Sequence, residues 1–163
     1  MLKNRKPETA LVNKRYLLQK YPGKGGWTYA AIPEILQSKN TPFGWVKVKG
    51  SIDNHEIKNY RLMPIGNGQL FLPVKADIRR KIGKKEGDWV TVILYADHEP
   101  AEIPSELLHC LKDAPSAYRT FLRYSDGEKK AYIDWIYAAK KEETKVERIA
   151  EMIGKLVRDR KSD

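Results

Sequence analysis

The sequence predicts a mainly β segment followed by a helical appendage, α+β overall, and three observations lead to that class. Between Trp27 and Asp97 short apolar runs are broken by Gly, Pro and Asn, with period-two alternation inside them. After Pro100 the periodicity becomes helical behind a capping signal. Within the β segment one skeleton of strand, proline, short helical turn, glycine and strand occurs twice. At 163 residues the chain can bury a sizeable core, and 41% hydrophobic against 32% charged residues is a globular composition that excludes wholesale disorder.

Taken in order, residues 1–15 alternate charged and small polar groups around Leu11-Val12 and read as a basic, partly frayed lead-in. Val46 and Val48 alternate with Lys47 and Lys49, and Val90, Val92 and Leu94 alternate with Thr91, Ile93 and Tyr95, which predicts strands with one buried face. Gly66-Asn67-Gly68 between Leu62-Met63 and Leu70-Phe71-Leu72 reads as a hairpin turn, because those residues accept positive φ cheaply. Residues 104–111 and 115–123 read as two short helices. Ser125 and Glu128 have the spacing of a capping box for a third. Tyr132, Trp135, Ile136 and Ala139 form its apolar stripe, and Val146, Ile149, Ala150, Ile153, Leu156 and Val157 form that of a fourth. Glu147, Arg148, Glu151, Lys155 and Arg158 fall outside, with Glu151 and Lys155 spaced for an ion pair worth about 0.2–0.5 kcal/mol.

The first copy of the repeated skeleton runs from Ile32-Pro33 through Phe43-Gly44, Val46 and Val48 to Ile52-Asp53. The second runs from Leu72-Pro73 through Ile82-Gly83, Val90 and Val92 to Ala96-Asp97, with Lys84-Lys85-Glu86-Gly87 inserted. A proline that ends a strand and a glycine that ends a short helix suit those places.

The second copy, LFLPVKADIRRKIGKKEGDWVTVILYAD, resembles the swapped-hairpin module of AbrB-like transcription regulators and antitoxins through its Leu-Pro step, Ile78-Arg79 before Gly83, and Gly87-Asp88 before Val90. With PGKGGWTYAAIP, FGWVKVKGSIDN and YADHEPAEIP added, the chain resembles the family of domains of unknown function numbered 1905. The C-terminal segment KKAYIDWIYAAKKEETKVERIAEMIGKL resembles the YdeI/OmpD-associated (OmdA) domain linked by name to bacteriocin protection. Tyr132, Trp135, Ile136, Ala139, Lys140, Thr144, Arg148 and Ile149 fit that helical motif. Lys145 departs from it: the family usually carries Arg there, and an ammonium cannot make the planar two-point contact of a guanidinium. The resemblance, over about residues 15–158, implies a pseudo-duplicated double-split β-barrel with a C-terminal α-helical appendage. The barrel domain with its basic lead-in would span residues 1–100 and the helical YdeI/OmdA-like domain residues 101–163. Two related units closing one barrel leave no edge for a second chain, which predicts a monomer built as an internal pseudo-dimer. The family implies no established reaction.

Composition excludes several function classes. One cysteine, Cys110, makes no intrachain disulfide and no zinc site alone. No apolar run is long enough to span a membrane, and the basic start has no apolar stretch behind it, so the expected location is cytoplasmic. The formal net charge is +10, of which residues 1–50 carry +8. The excess is an N-terminal feature and not a basic coat on the repeat. It suits phosphate contact or simple solubility.

Two candidate ligand sites emerge. Lys24, Gly25, Gly26 and Trp27 belong to a glycine-rich loop whose amides and lysine could hold an anion, although phosphate-loop spacing is missing and the glycines equally suit a tight loop that lets Trp27 enter the core. Trp135, Lys140, Thr144 and Arg148 span the last helix junction as an anion-attracting patch beside an aromatic wall. The structural alternative buries Tyr132 and Trp135 and makes Thr144 a helix cap. Arg79, Arg80 and Lys81, with Lys84 and Lys85, are the nucleic-acid candidates, diluted by Asp77, Glu86 and Asp88. Arg79 is alternatively structural, stacked on an aromatic or paired with Asp88 or Asp97. Trp27, Tyr29, Phe43, Trp45, Tyr60, Phe71 and Trp89, interleaved with Lys, could stack bases or line a small-molecule pocket, but no RNP-like motif is present and most are expected in the core. Asp53 and Asp97 match in the repeat, as a carboxylate pair or as turn caps.

His55, His98 and His109 are isolated, and adjacent His109 and Cys110 diverge by about 100° on a helix, so no catalytic residue, metal ligand or cofactor is predicted. The expectation is a non-enzymatic binding or interaction protein of the bacteriocin-protection type, its partner a small-molecule anion or a peptide. Nucleic-acid binding through the AbrB-like barrel is the alternative.

Overall fold

Seven antiparallel strands form from the alternating segments of the first part: β1 (Val12–Leu17), β2 (Gln19–Lys20), β3 (Thr28–Leu36), β4 (Val46–Ile52), β5 (His55–Gly66), β6 (Gln69–Pro73) and β7 (Trp89–Ala96). The structure, a computed structural model, describes residues 9–161. Strand order is β1-β7-β4-β5-β6-β3-β2. Only Leu18 separates β1 from β2, so one run of chain pairs with β7 at one end of the order and with β3 at the other. The sheet is thereby nearly closed into a barrel, which removes its open edges.

The lead-in is the first correction. Its first eight residues lie outside the described ones, but residues 12–15, expected to be partly frayed, belong to a strand that runs on to Leu17, in register with β7 from Val12–Leu94 to Leu17–Trp89. Val12, Tyr16 and Leu18 point inward at even spacing, while Asn13, Lys14 and Arg15 are exposed and hide that alternation. A second departure is Lys47, expected outside β4 but only 6% exposed. Its ammonium donates to Asn59 Oδ1 at 3.0 Å, which offsets part of the cost of burying it.

The duplication is written into strand pairing. Ile32 and Leu72 hold one position of the repeat, and Ile32 faces Leu70 while Ala30 faces Leu72, so the β3–β6 ladder maps onto itself about Ala31–Phe71. The β4–β7 ladder does the same about Gly50–Leu94, because Val48 faces Ala96 and Ile52 faces Val92. Each strand thus pairs with its own copy. β5 lies between β4 and β6 as the β1–β2 run lies between β7 and β3, and Lys14, Tyr16 and Leu18 correspond to Lys58, Tyr60 and Leu62.

Turn chemistry agrees with the sequence. Asn67-Gly68 joins β5 to β6 with φ of 57° and 74°, and Asp53-Asn54 joins β4 to β5 with φ of 47° and 66°. Both are two-residue turns of the type that matches strand twist. Between β6 and β7, α1 (Ala76–Ile82) ends at Gly83, which takes the left-handed cap at φ 68°.

The second unit contains α2 (Ser105–Lys112), α3 (Pro115–Arg123), α4 (Asp126–Tyr137) and α5 (Glu142–Lys161). Ser125 and Glu128 form the reciprocal capping box at the start of α4. The core holds Leu107, Leu111, Phe121, Tyr132, Ile136, Ile149, Met152 and Leu156. Here the α5 stripe differs from expectation. It runs through Ile149, Met152 and Leu156, leaving Val146 and Ala150 exposed, and Ala139 lies past the end of α4. Lys155 turns one helical turn onward, to Asp159 at 3.1 Å, instead of back to Glu151.

The chain divides into two compact units. One comprises the described residues through Gln37 together with Lys47–Asp97, and the other comprises Ser38–Val46 and the chain from His98 onward. Residues 38–46, between β3 and β4 in the chain, therefore belong to the helical unit.

At Gly50 an added Cβ would stand 1.9 Å from the Ile93 carbonyl oxygen, a backbone atom that cannot step aside. At Gly68 nothing lies within 4 Å. Gly68→Ala should cost only the strain of positive φ, about 1–2 kcal/mol. Gly50→Ala should cost about 3 kcal/mol or more, because β4 and β7 must separate. Urea unfolding of both variants measures the difference, and equal losses would show that the close approach is not needed.

Candidate functional site

The glycine-rich loop between β2 and β3 carries an aromatic ladder, Trp27 stacked between Tyr21 and Phe71. An added Cβ at Gly23 would stand 2.7 Å from the Tyr21 ring, which would have to shift to admit it. The Gly26 amide donates to the Gly23 carbonyl at 3.3 Å, and the Tyr21 amide to the Trp27 carbonyl at 2.9 Å. Trp27 stacks on Tyr21 at 4.7 Å and on Phe71 at 4.6 Å, yet stays 36% exposed, so it does not enter the core. Lys24 and Gly25 are exposed beside it. Of the seven barrel-segment aromatics expected mostly in the core, Tyr29 and Phe71 are buried, Trp45 and Tyr60 half-buried, and Trp27, Phe43 and Trp89 exposed. Stacking on ring neighbours replaces burial for Trp27, and the Arg15 guanidinium over the ring does so for Trp89.

The basic cluster around α1 is partly structural. Arg79 Nε donates to the Val74 carbonyl at 3.2 Å, not to an aromatic ring or an aspartate. Lys84 donates to the Trp89 carbonyl at 2.9 Å and lies 3.5 Å from Asp53. Arg80 and Lys81 are exposed, and Arg80 lines an open depression of about 350 Å³ with Lys85 and Asp88. Asp53 accepts the Thr91 amide at 2.7 Å, the work of a turn residue.

At the helix junction the structure brings together two of the four expected residues. Arg148 stacks its guanidinium over the Trp135 ring at 5.3 Å and donates to the Trp135 carbonyl at 2.6 Å. Lys140 is exposed in the α4–α5 turn, and Thr144 sits inside the first turn of α5, so it does not cap that helix. Lys145, where the resemblance expects Arg, bridges Glu106 and Glu142, each at 3.0 Å, beneath the Tyr137 ring. Those two carboxylates push its ammonium up to about 12.

Beside Trp135 the helical unit opens a cleft of about 290 Å³. It is lined by Thr41, Pro42 and Phe43 from the 38–46 stretch, by Tyr132 and Trp135 of α4, and by Glu151, Met152, Lys155 and Arg158 of α5. Phe43 meets the Trp135 ring edge-on at 6.4 Å and tilts against Trp45 at 5.2 Å. Its backbone is left-handed, φ 56° and ψ 9°, within a 3₁₀ turn over Pro42–Gly44, and its side chain is 65% exposed. A bulky residue at positive φ is strained, and here the strain holds an apolar ring in the open.

Polar bonds fix the stretch that carries it. Glu128 accepts the Ser38 hydroxyl at 3.0 Å with one carboxylate oxygen and the Ser125 amide at 2.9 Å with the other. Thr41 donates to the Trp45 carbonyl at 2.6 Å. Lys155 donates to the Lys39 carbonyl at 2.9 Å, to Asp159 at 3.1 Å and to Tyr124 Oη at 3.5 Å. Tyr124 in turn donates to Asp159 at 2.7 Å. Burial and the neighbouring Asp159 hold the Tyr124 hydroxyl well above its ordinary range. Burial, with Asp159 and Glu151 nearby, pushes Tyr132 up to about 12, so both phenols are neutral at physiological pH. This arrangement can bind, through an aromatic wall with charged groups at its rim. Among the described residues no group of three or more His, Cys, Asp or Glu could hold a metal ion.

Glu151, Lys155 and Arg158 were not candidates in the sequence, and Phe43 was only one of seven aromatics that could line a pocket. Thr41-Pro42-Phe43-Gly44 carries a turn signal in its Pro and Gly. Nothing local says that the turn joins a unit beginning some fifty residues later.

Two family models match the chain. One, described as a domain of unknown function (DUF1905), matches residues 17–94. The other, described as "Bacteriocin-protection, YdeI or OmpD-Associated" (OmdA), matches residues 100–159. No curated protein matches it. Residues 38–46 thus fall inside the first match while completing a cleft in the unit that holds the second.

Burial alone would push the Asp159 carboxyl up, but the hydrogen bonds from Tyr124 and Lys155 outweigh it and hold the group below the usual range. A depressed carboxyl stabilises the fold above its unfolded pKa, and that stability is lost as pH falls through the folded one. Asp159→Asn should therefore cost about 1 kcal/mol at neutral pH, and its deficit should close below about pH 4. Denaturant titrations across that range measure it. A deficit independent of pH would assign the loss to packing.

Proposed function

Because the chain is a DUF1905 domain followed by an OmdA domain, in the order its motifs implied, we propose that it is a non-enzymatic binding protein of the bacteriocin-protection type. Its site is the cleft between residues 41–43 and helices α4 and α5, and it works in the cytoplasm as a monomer. One observation carries the reading: Phe43 is held exposed over the cleft at a backbone conformation that costs about 1–2 kcal/mol. Natural chains keep such strain where the side chain's position is used. The cleft lies at the small end of ligand-site volumes and joins apolar walls to a few charged groups, the usual composition of such sites. Among the described residues no helix is long and apolar enough to cross a membrane.

A second reading, nucleic-acid binding, is favoured by the exposure of Arg80, Lys81 and Lys85 around the C-terminal end of α1. Arg79 and Lys84 are already engaged by the barrel, which leaves this surface fewer cations than the sequence offers.

Phe43→Gly separates strain from use. Glycine removes the left-handed strain but costs about 0.5–1 kcal/mol of unfolded-chain entropy, so the melting temperature should stay within a few degrees of wild type. Ligand capture should be lost. A thermal-shift panel of amino acids, short peptides, mononucleotides and aromatic carboxylates, run on both proteins, tests this. Compounds that stabilise wild type and not Phe43→Gly support the cleft. Compounds that stabilise both equally remove it, and a duplex-DNA shift that fades steeply with salt would favour the second reading.

A further inference from the structure

Resting on that cleft, we propose that it takes a small aromatic monocarboxylate, its ring against Phe43 and Trp135 and its carboxylate accepting from the Tyr132 hydroxyl and the Arg158 guanidinium. An unused donor leads to this class. Tyr132 is only 4% exposed, and its hydroxyl makes no hydrogen bond among the described residues. Its neighbour Tyr124, by contrast, donates to Asp159. Among the described residues no fully buried side-chain oxygen or nitrogen lacks a partner, so the little surface that Tyr132 keeps includes its hydroxyl. Tyr132 lines the cleft together with Glu151 and Arg158, and both charges act on that hydroxyl, Glu151 raising its pKa and Arg158 lowering it. The hydroxyl therefore opens where those residues meet, into the cleft.

The groups around it select among ligands. A neutral phenol offers one proton, so the ligand atom it meets is an acceptor. Lys155 has its three donors committed to Lys39, Asp159 and Tyr124. Arg158 also lines the cleft, and its side chain makes no hydrogen bond or ion pair among the described residues. A guanidinium fork matches a carboxylate. That guanidinium folds back along α5, to 3.6 Å from where a Cβ on Gly154 would stand, one turn toward Glu151. An acidic group on the same side favours a singly charged anion over a phosphate dianion. Phe43, mostly exposed and edge-on to Trp135, supplies the contact for a flat ring. The cleft's volume, about 290 Å³, suits one small molecule of this kind.

The test is an NMR titration of isotope-labelled protein with phenylacetate, phenylacetamide, phenyl phosphate and acetate. Phenylacetate should bind tightest of the four. Tyr132→Phe should weaken it about ten-fold, as for a hydrogen bond to a charged group, and Arg158→Gln about three- to five-fold. Because the Tyr132 hydroxyl is unbonded, the melting temperature of ligand-free Tyr132→Phe should stay within about 2 °C of wild type. A fall of several degrees would show that the hydroxyl is used within the fold, and equal phenylacetate affinity of Tyr132→Phe and wild type would show that it meets no ligand; either overturns the proposal. Phenyl phosphate binding tighter than phenylacetate overturns the preference for a monoanion. Equal affinity for phenylacetate and phenylacetamide, both lost in Phe43→Gly, overturns the carboxylate assignment and leaves the cleft standing. Binding of none of the four overturns the aromatic-carboxylate class, while the cleft itself falls only if Phe43→Gly retains every compound that stabilises wild type.

Discussion

At Gly50 the backbone of β4 lies against the Ile93 carbonyl so closely that no side chain fits between them, and the barrel is organised around that approach. Gly50 faces Leu94 at the point where the β4–β7 ladder maps onto itself. Two copies of one strand can pair antiparallel only about such a self-matched position, and there the chain meets its own repeat. The same condition is met at Ala31–Phe71, where the small residue makes room for the large one. These self-matched ladders set β3 beside β6 and β4 beside β7, with β5 and the β1–β2 run filling equivalent places.

The two copies of the repeat differ in the connection between their strands. Between β6 and β7 the chain forms α1, seven residues closed by a glycine cap. Between β3 and β4 the matching stretch makes only a 3₁₀ turn, and its Ser38, Lys39 and Thr41 are tied by hydrogen bonds within the helical unit. A connection that is not needed to complete a barrel strand is available for other use. Here it lends three residues to a cleft whose remaining walls come from α4 and α5. The cleft draws residues from both family matches, 17–94 and 100–159.

Much of this was legible in the residues. Asn67-Gly68, Gly83, and the Ser125–Glu128 box are local devices whose chemistry is complete within four residues, and the structure contains each. The repeat was legible because its prolines and glycines recur at matching places. What escaped depended on distant partners. Val12–Leu17 reads as polar because only Val12 and Tyr16 turn their side chains to the interior, and Lys47 reads as exposed until Asn59 is placed beside it. Arg148 carries the charge of a binding residue, yet it bonds the Trp135 carbonyl and stacks on the Trp135 ring, so it also positions the aromatic wall. Lys155, read as an outward charge, is a structural tie. Residues were sorted by chemical type, and their roles turn on which hydrogen-bond capacity remains unused.

Exposure by itself does not single out Phe43. Trp27 also reaches the surface, but Tyr21 and Phe71 stack on it at under 5 Å, and Trp89 carries Arg15 over its ring. Those side chains repay their position through contacts already made. Phe43 touches Trp135 and Trp45 only edge-on or tilted, remains more exposed than either tryptophan, and sits on a backbone that a glycine would occupy without strain. Neither packing nor turn geometry asks for a phenyl ring at that position. On the proposed reading the contact that accounts for it is made by a ligand in the cleft that Phe43 lines with Tyr132 and Trp135.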